Sequence, residues 1–226
     1  MMRSEEMRAV EVASDFFGVS GLKLMERTGK GLFDAVCRRF GISRKGEWKN
    51  PLKKPLNVLV ACHHGNNGGD GFVAARLLRR VCSVRVLFTG DESRPKPEAR
   101  ETFSRLVSLD SRILVRDACE SKILCHTHFS GYDIIVDALL GAGVSGRVDR
   151  RLGALIGSFN KSKAFIVSAD MPSGLHSDAC GLSGVFVRPD LIVAFHSKKP
   201  VLRLFGKKVV VSGIGVPEEA DMVAKN

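Results

Sequence analysis

Apolar positions recur at three- and four-residue intervals through the first forty residues, then gather into short continuous runs beyond residue 55. The first rhythm is that of helices with one buried face. Ser4 with Glu5 and Glu6 opens a short amphipathic helix to about Ser14, and Asp15-Phe16-Phe17-Gly18-Val19-Ser20-Gly21 breaks it. A second helix is expected from about Leu22 to Phe40, with Leu24, Met25, Thr28, Leu32, Ala35 and Val36 on one face. Gly41 is placed to end it as a left-handed cap.

The later runs read as buried strands: Leu56–Cys62, Val84–Phe88, Arg112–Val115, Tyr132–Leu139, Ala164–Ala169, Leu191–Phe195 and Lys208–Gly213. Helices are expected over Phe72–Val81 and Pro97–Leu109. Near-continuous apolar strands alternating with helices predict an α/β fold whose mostly parallel sheet is covered on both faces. No internal repeat or linker interrupts the pattern. The chain, 1–226, is read as one domain, a helical N-terminal extension (about 1–41) joined to an α/β core (about 56–217).

Composition changes this picture little. With 44% hydrophobic and 26% charged residues among 226, the chain has the balance of a globular protein. No apolar run approaches the roughly 20 residues that cross a bilayer, and the acidic N-terminus lacks the apolar stretch of a secretory leader. A soluble, cytoplasmic protein with no membrane partner is expected. The six cysteines are scattered without a C-x-x-C pair, which suits a reducing compartment. Cys125-His126-Thr127-His128 offers three crowded ligands where structural zinc takes four, so zinc is not expected there.

The net charge of +11 points to an anionic partner, whether a phosphorylated small molecule or a nucleic acid, or to a basic solvated surface. The densest basic stretch, Ser43–Pro55, carries the only tryptophan, Trp48. Its glycine and prolines mark a connecting loop, and one aromatic is thin support for base stacking.

The chemistry concentrates at three places that a parallel sheet would bring to one edge. Gly65-Asn66-Asn67-Gly68-Gly69-Asp70-Gly71 follows one strand and precedes a helix, where doubly wound folds bind phosphate. Its glycines permit positive φ and close backbone approach, and helix N-terminal amides favour anions. The asparagine carbonyls suit a hard cation. It is neither G-x-G-x-x-G nor a Walker loop, and a plain turn with Asp70 as helix cap is the bland alternative. Asp137 and Asp170 each end a strand and lead into Gly-rich turns, as caps or as working acids. A desolvated carboxylate at such an edge has a raised pKa and can serve as acid and base.

G-N-N-G-G-D-G before a helix, D-A-L-L-G-x-G from Asp137, and D-M-P-S-G-L from Asp170 together resemble the YjeF N-terminal-domain family, the NAD(P)HX epimerases. The likeness runs from Gly21-Leu22-x-Leu24-Met25-Glu26, through Pro189-Asp190-Leu191-Ile192-Val193-x-Phe195 and Lys199-Pro200, to Ser212-Gly213-Ile214-Gly215-Val216-Pro217. It implies a Rossmann-like three-layer α-β-α sandwich, usually a homodimer, that interconverts the S and R forms of hydrated NADH and NADPH for a partner dehydratase. By position, Asn66, Asn67, Gly68, Gly69 and Asp70, with Gly141, Ala142, Gly143, Val144, Ser145, Gly146 and Arg147, would hold the substrate. Asp170 would contact the hydrated nicotinamide and act as acid and base. One potassium ion per subunit would sit on Asn67, Asp137 and Ser173, an all-oxygen set that suits a hard cation rather than zinc.

Lys199 matches a family lysine, to touch phosphate, to support Asp170 or simply to be solvated. The family's M-E-N-A-G stands here as Met25-Glu26-Arg27-Thr28-Gly29, with Thr28 expected to pack in the helix face. His63 and His64 stand where smaller residues are expected. The dehydratase domain that often accompanies this one is absent from the sequence, so dehydration is not expected of the chain alone. A second reading is the non-catalytic dimerisation and RNA-associated module that the same domain forms in decapping enhancers. The charge and the Trp48 loop suit it, while the complete glycine and Asp170 motifs favour the epimerase.

Overall fold

The computed structural model describes residues 1–43, 55–91, 93–110, 114–116, 129–143, 148–176 and 184–223. The basic loop around Trp48 and the Cys125–His128 cluster lie outside them.

Two helices lead. In α1 (Ser4–Phe16) the Glu6 carboxylate accepts the Arg3 amide at 2.6 Å, closing the first turn. In α2 (Gly21–Phe40) the Ser20 hydroxyl caps the start. Gly41, at φ 68°, ends it in the left-handed conformation that a residue with a Cβ adopts only with strain.

The core then alternates β1 (Asn57–Cys62), α3 (Asn66–Leu78), β2 (Ser83–Phe88), α4 (Pro97–Leu109), β3 (Leu114–Arg116), β4 (Ile134–Ala138), α5 (Arg150–Lys161), β5 (Phe165–Ala169), β6 (Leu191–Phe195), β7 (Val209–Ser212) and α6 (Glu218–Val223). Short 3-10 segments cover Phe129–Gly131 and Pro200–Lys208. All seven strands pair in parallel in the order β3-β2-β1-β4-β5-β6-β7. This is the doubly wound, Rossmann-like arrangement, and its order reverses between β1 and β4. Ligands of such folds enter at that switch point, beyond the carboxyl ends of the strands.

Side chains alternate across the strands and build two cores. Val58, Val60, Cys62, Val86, Ile134, Val136 and Val167 pack beneath α2 and α3. Leu59, Ala61, Leu87, Ile135 and Ile166 pack beneath α5 through Leu152, Leu155, Ile156 and Phe159. The α5 helix, which the sequence pattern did not single out, thus supplies the third layer.

The glycine-rich motif differs from expectation. It is no loop: α3 begins at Asn66, six residues before Phe72, and Asp70 sits inside the helix rather than capping it. Gly65, Gly68, Gly69 and Gly71 all lack positive φ. Close packing explains most of them. A methyl group at Gly68 would overlap the His63 carbonyl oxygen, and one at Gly71 would stand 2.6 Å from both Ala138 Cβ and Cys62 Sγ. These glycines let the first turns of α3 lie directly on the ends of β1 and β4.

Candidate functional site

The N-terminus of α3 opens at the switch point. Gly65 flanks it in extended conformation, and its carbonyl accepts the Gly69 amide at 3.1 Å. The amides of Asn66, Asn67 and Gly68 have no intrahelical partner, as at any helix start. Asn66 Oδ1 and both polar atoms of the Asn67 side chain are buried without a hydrogen-bond partner. Gly141 lies against Asn67, where an added Cβ would sit 3.3 Å from the Asn67 Cβ. Gly141 is therefore brought to this helix end, while Gly143 lies against Arg8. Val144, Ser145, Gly146 and Arg147 lie outside the described residues.

Asp137, in β4, is fully buried. Its Oδ2 accepts from Ser168 Oγ at 2.8 Å and from the Ser173 amide at 2.9 Å. Its Oδ1 accepts from the Ser173 hydroxyl and, at 3.4 Å, from the Leu139 amide. Burial pushes its pKa up, and these hydrogen bonds pull it back. Ser173 Oγ in turn accepts the Leu140 amide at 2.9 Å. Asp137 and Ser173 are thus in contact, and the chain segment they hold leads straight into Gly141 over Asn67.

Asp170 follows β5 with φ 60°, and the Met171 amide bonds back to the Ala169 carbonyl at 2.6 Å. This γ-turn with a positive central φ is rare and costs about 1–3 kcal/mol in backbone strain. Asp170 Oδ1 accepts the Phe195 amide at 3.2 Å and the Lys199 ammonium. Lys199 is only 1% exposed, and a charge so buried must be paired. Of the roles open to it from sequence, the structure gives the bond to Asp170.

Asp70 lies behind this pair and is 8% exposed. Burial first, with the charges of Asp170 and Glu11, drives its pKa well up, against the Thr28 hydrogen bond and Lys199. Thr28 Oγ1 meets Asp70 Oδ1 and also donates to the Met25 carbonyl at 2.8 Å. The single Thr28 hydroxyl proton is thus shared between the Asp70 carboxyl and the Met25 carbonyl. Thr28 therefore has a polar partner beyond its packing. Its neighbour Arg27 bonds the carbonyls of Ile214 at 3.1 Å and Gly215 at 2.6 Å. The His63 and His64 rings meet with centroids 3.9 Å apart and planes tilted by 42°. Burial, then His64, lowers the His63 pKa to about 4, so it is neutral at physiological pH.

Sequence reasoning missed Glu11 and Arg8. Arg8 donates to the Gly143 carbonyl at 3.2 Å. Glu11 has its pKa raised by burial and lies in the field of Lys96, Asp170, Lys199 and Arg8. Helical spacing alone does not say what α1 faces.

The chain matches the family described as YjeF-related protein N-terminus over residues 21–201. It is 33% identical to the NAD(P)H-hydrate epimerase of Rhodobacter capsulatus, over 96% of this chain and 99% of that one. It is 32% identical to the bifunctional NAD(P)H-hydrate repair enzyme Nnr of Methanothermobacter thermautotrophicus, over 98% of this chain and 41% of the relative. The chain thus spans about two fifths of such bifunctional relatives. The crystal structure of yeast ynu0 superposes with a TM-score of 0.75 at 23% identity, covering 93% of this chain and 87% of that one, a likeness of fold.

Proposed function

As this chain belongs to the YjeF-related N-terminal family, we propose that it is an enzyme interconverting the S and R forms of hydrated NADH and NADPH. The observation that carries the reading is the bond of buried Lys199 to Asp170, which sits in a strained turn on the sheet edge that also bears the α3 N-terminus. It is supported by the full-length match to a relative named NAD(P)H-hydrate epimerase.

The substrate's pyrophosphate is placed against the free amides of Asn66, Asn67 and Gly68, which face it with the positive end of the helix dipole. Gly141, which lies against Asn67, is proposed to bind it as well, together with the residues that follow to Arg147. Inverting the hydrated carbon needs a bond to oxygen or ring nitrogen to break and reform from the other face. Asp170 gives a proton to the group that departs and takes one from the group that returns. Lys199 keeps its carboxyl oriented in both halves.

One potassium ion per subunit is proposed on Asn67, Asp137 and Ser173. The residues fit it: every donor is an oxygen, Asn67 Oδ1 is buried and unpartnered, and no salt bridge reaches buried Asp137 among the described residues. Held there by Asn67 of α3, Asp137 of β4 and Ser173 of the turn after β5, a bound ion would supply a positive charge beside the Asp137 carboxylate. A homodimer is also proposed, supported by exposed apolar residues on α1 and α6, Val12, Phe16, Met222 and Val223. A partner dehydratase would consume the product, in keeping with relatives named as bifunctional NAD(P)H-hydrate repair enzymes. No helix among the described residues is long and apolar enough to cross a membrane.

The test is chromatographic separation of S and R hydrates after mixing with the protein. Wild type restores the equilibrium ratio from a single epimer within minutes. Asp170→Asn slows this at least about 100-fold while circular dichroism stays unchanged. A variant as fast as wild type removes Asp170 from the chemistry. Potassium is expected to raise the melting temperature of wild type relative to lithium, and to leave that of Asn67→Leu unmoved.

A further inference from the structure

Asp170 has a counterpart one strand away. His196, the residue after β6, has φ 59°, and the Ser197 amide bonds back to the Phe195 carbonyl at 2.6 Å. The turn that follows β5 is thus repeated after its neighbour. Among the described residues, these two alone have positive φ without being glycine. Such strain persists only where surrounding contacts impose it, and it gathers at functional sites.

The use of the second turn can be traced bond by bond. The Asp170 amide donates to the Val193 carbonyl at 2.9 Å, adding a rung to the β5–β6 ladder. At the next rung the Asp170 carboxylate stands in for a backbone acceptor, its Oδ1 taking the Phe195 amide at 3.2 Å. His196 comes next, and Lys199, three residues further on, returns to the same carboxylate. The turn at His196 therefore joins the two donors that hold Asp170. What imposes it lies beyond the family match at residues 21–201. The His196 amide is fixed to the Ser212 carbonyl of β7 at 2.9 Å, and its Nε2 bonds Asp221 Oδ1 of α6 at 2.9 Å. Both side chains are partly buried.

We infer that His196 is a positioning residue for Asp170. Its bond to Asp221 holds the backbone in the left-handed conformation, and the turn so held aims the Phe195 amide and the Lys199 ammonium at the carboxylate. The catalytic consequence rests on the epimerase reading. Glycine separates this role from packing. It reaches φ 59° without the Cβ penalty and needs no tether, whereas alanine keeps the penalty and lacks the tether.

Two measurements test it. In epimerase assays, His196→Ala lowers kcat about tenfold with KM within about twofold, because the carboxylate is displaced from the reacting group. His196→Gly recovers most of that loss. Asp221→Ala lowers kcat as His196→Ala does, yet adds little to His196→Gly. Glu219→Gln, exposed on the same helix, changes neither constant. A side chain that served only packing would leave glycine worse than alanine. The second measurement needs no activity: hydrogen exchange of the Phe195 amide, followed by NMR. This amide exchanges faster in His196→Ala and Asp221→Ala and stays protected in His196→Gly. Glycine no better than alanine in rate and in exchange overturns the proposal. So does a His196→Ala protein whose Phe195 amide stays protected, whatever its rate or melting temperature. Inactive wild type with the expected exchange pattern sinks only the functional reading.

Discussion

At Asp70 the carboxyl group is almost cut off from water, and its nearest polar neighbour is a hydroxyl already committed to the Met25 carbonyl. Burial raises its pKa in the fold above the ordinary value. A group so shifted stabilises the fold fully below its unfolded pKa, and that contribution is lost as pH climbs through the folded one. Urea titrations at pH 4 and pH 7 should therefore show a loss of stability in wild type that Asp70→Asn lacks. Thr28→Ala removes the hydroxyl that hydrogen-bonds this buried carboxyl and should cost about 1–3 kcal/mol. The motif comparison marked Thr28 as a departure, but it could not show the partner. Asp70 lies 42 positions away, and only the packing of α2 on α3 brings them together. Glu11 was illegible for the same reason, since a half-buried glutamate on an amphipathic helix looks like any solvated one.

Among the elements, the strands were the easiest to read. Buried parallel strands are apolar on both faces, so β1, β4, β5 and β6 stand out as runs whatever their neighbours do. The start of α3 was hidden, because glycine disfavours helix by about 1 kcal/mol each and asparagine favours turns. Contact with β1 and β4 overrides that preference, and only small residues allow the contact. Opposite effects of one substitution express this. Gly68→Ala drives a methyl group into the His63 carbonyl oxygen and should destabilise severely. Gly157→Ala, in α5 with nothing within 4 Å of the added carbon, should stabilise by roughly 0.5–1 kcal/mol. Chemical denaturation of the two variants decides it. α5 itself was overlooked because Gly153 and Gly157 punctuate it, though its Leu152, Leu155, Ile156 and Phe159 keep helical spacing.

For the molecule as a whole, the order of strands places the site. Asp137 and Asp170 were assigned to one edge from alternation alone, and the parallel pairing of β4 with β5 puts their strand ends side by side. The net charge of +11 indicated an anionic partner without choosing among candidates. The proposed choice rests on the buried, unpartnered asparagine side chains at the head of α3.

The reversal of strand order between β1 and β4 has a kinetic consequence. Asn57 and Asp133, bonded where those strands begin, are 76 positions apart, and every element of the β2 and β3 half lies between them. Closing so long a loop is among the slower events available to a refolding chain. The helix head borne by β1 and the acid borne by β4 meet only once that closure is made. Catalytic competence should accordingly return with the slowest phase after dilution from denaturant, trailing the recovery of helical signal.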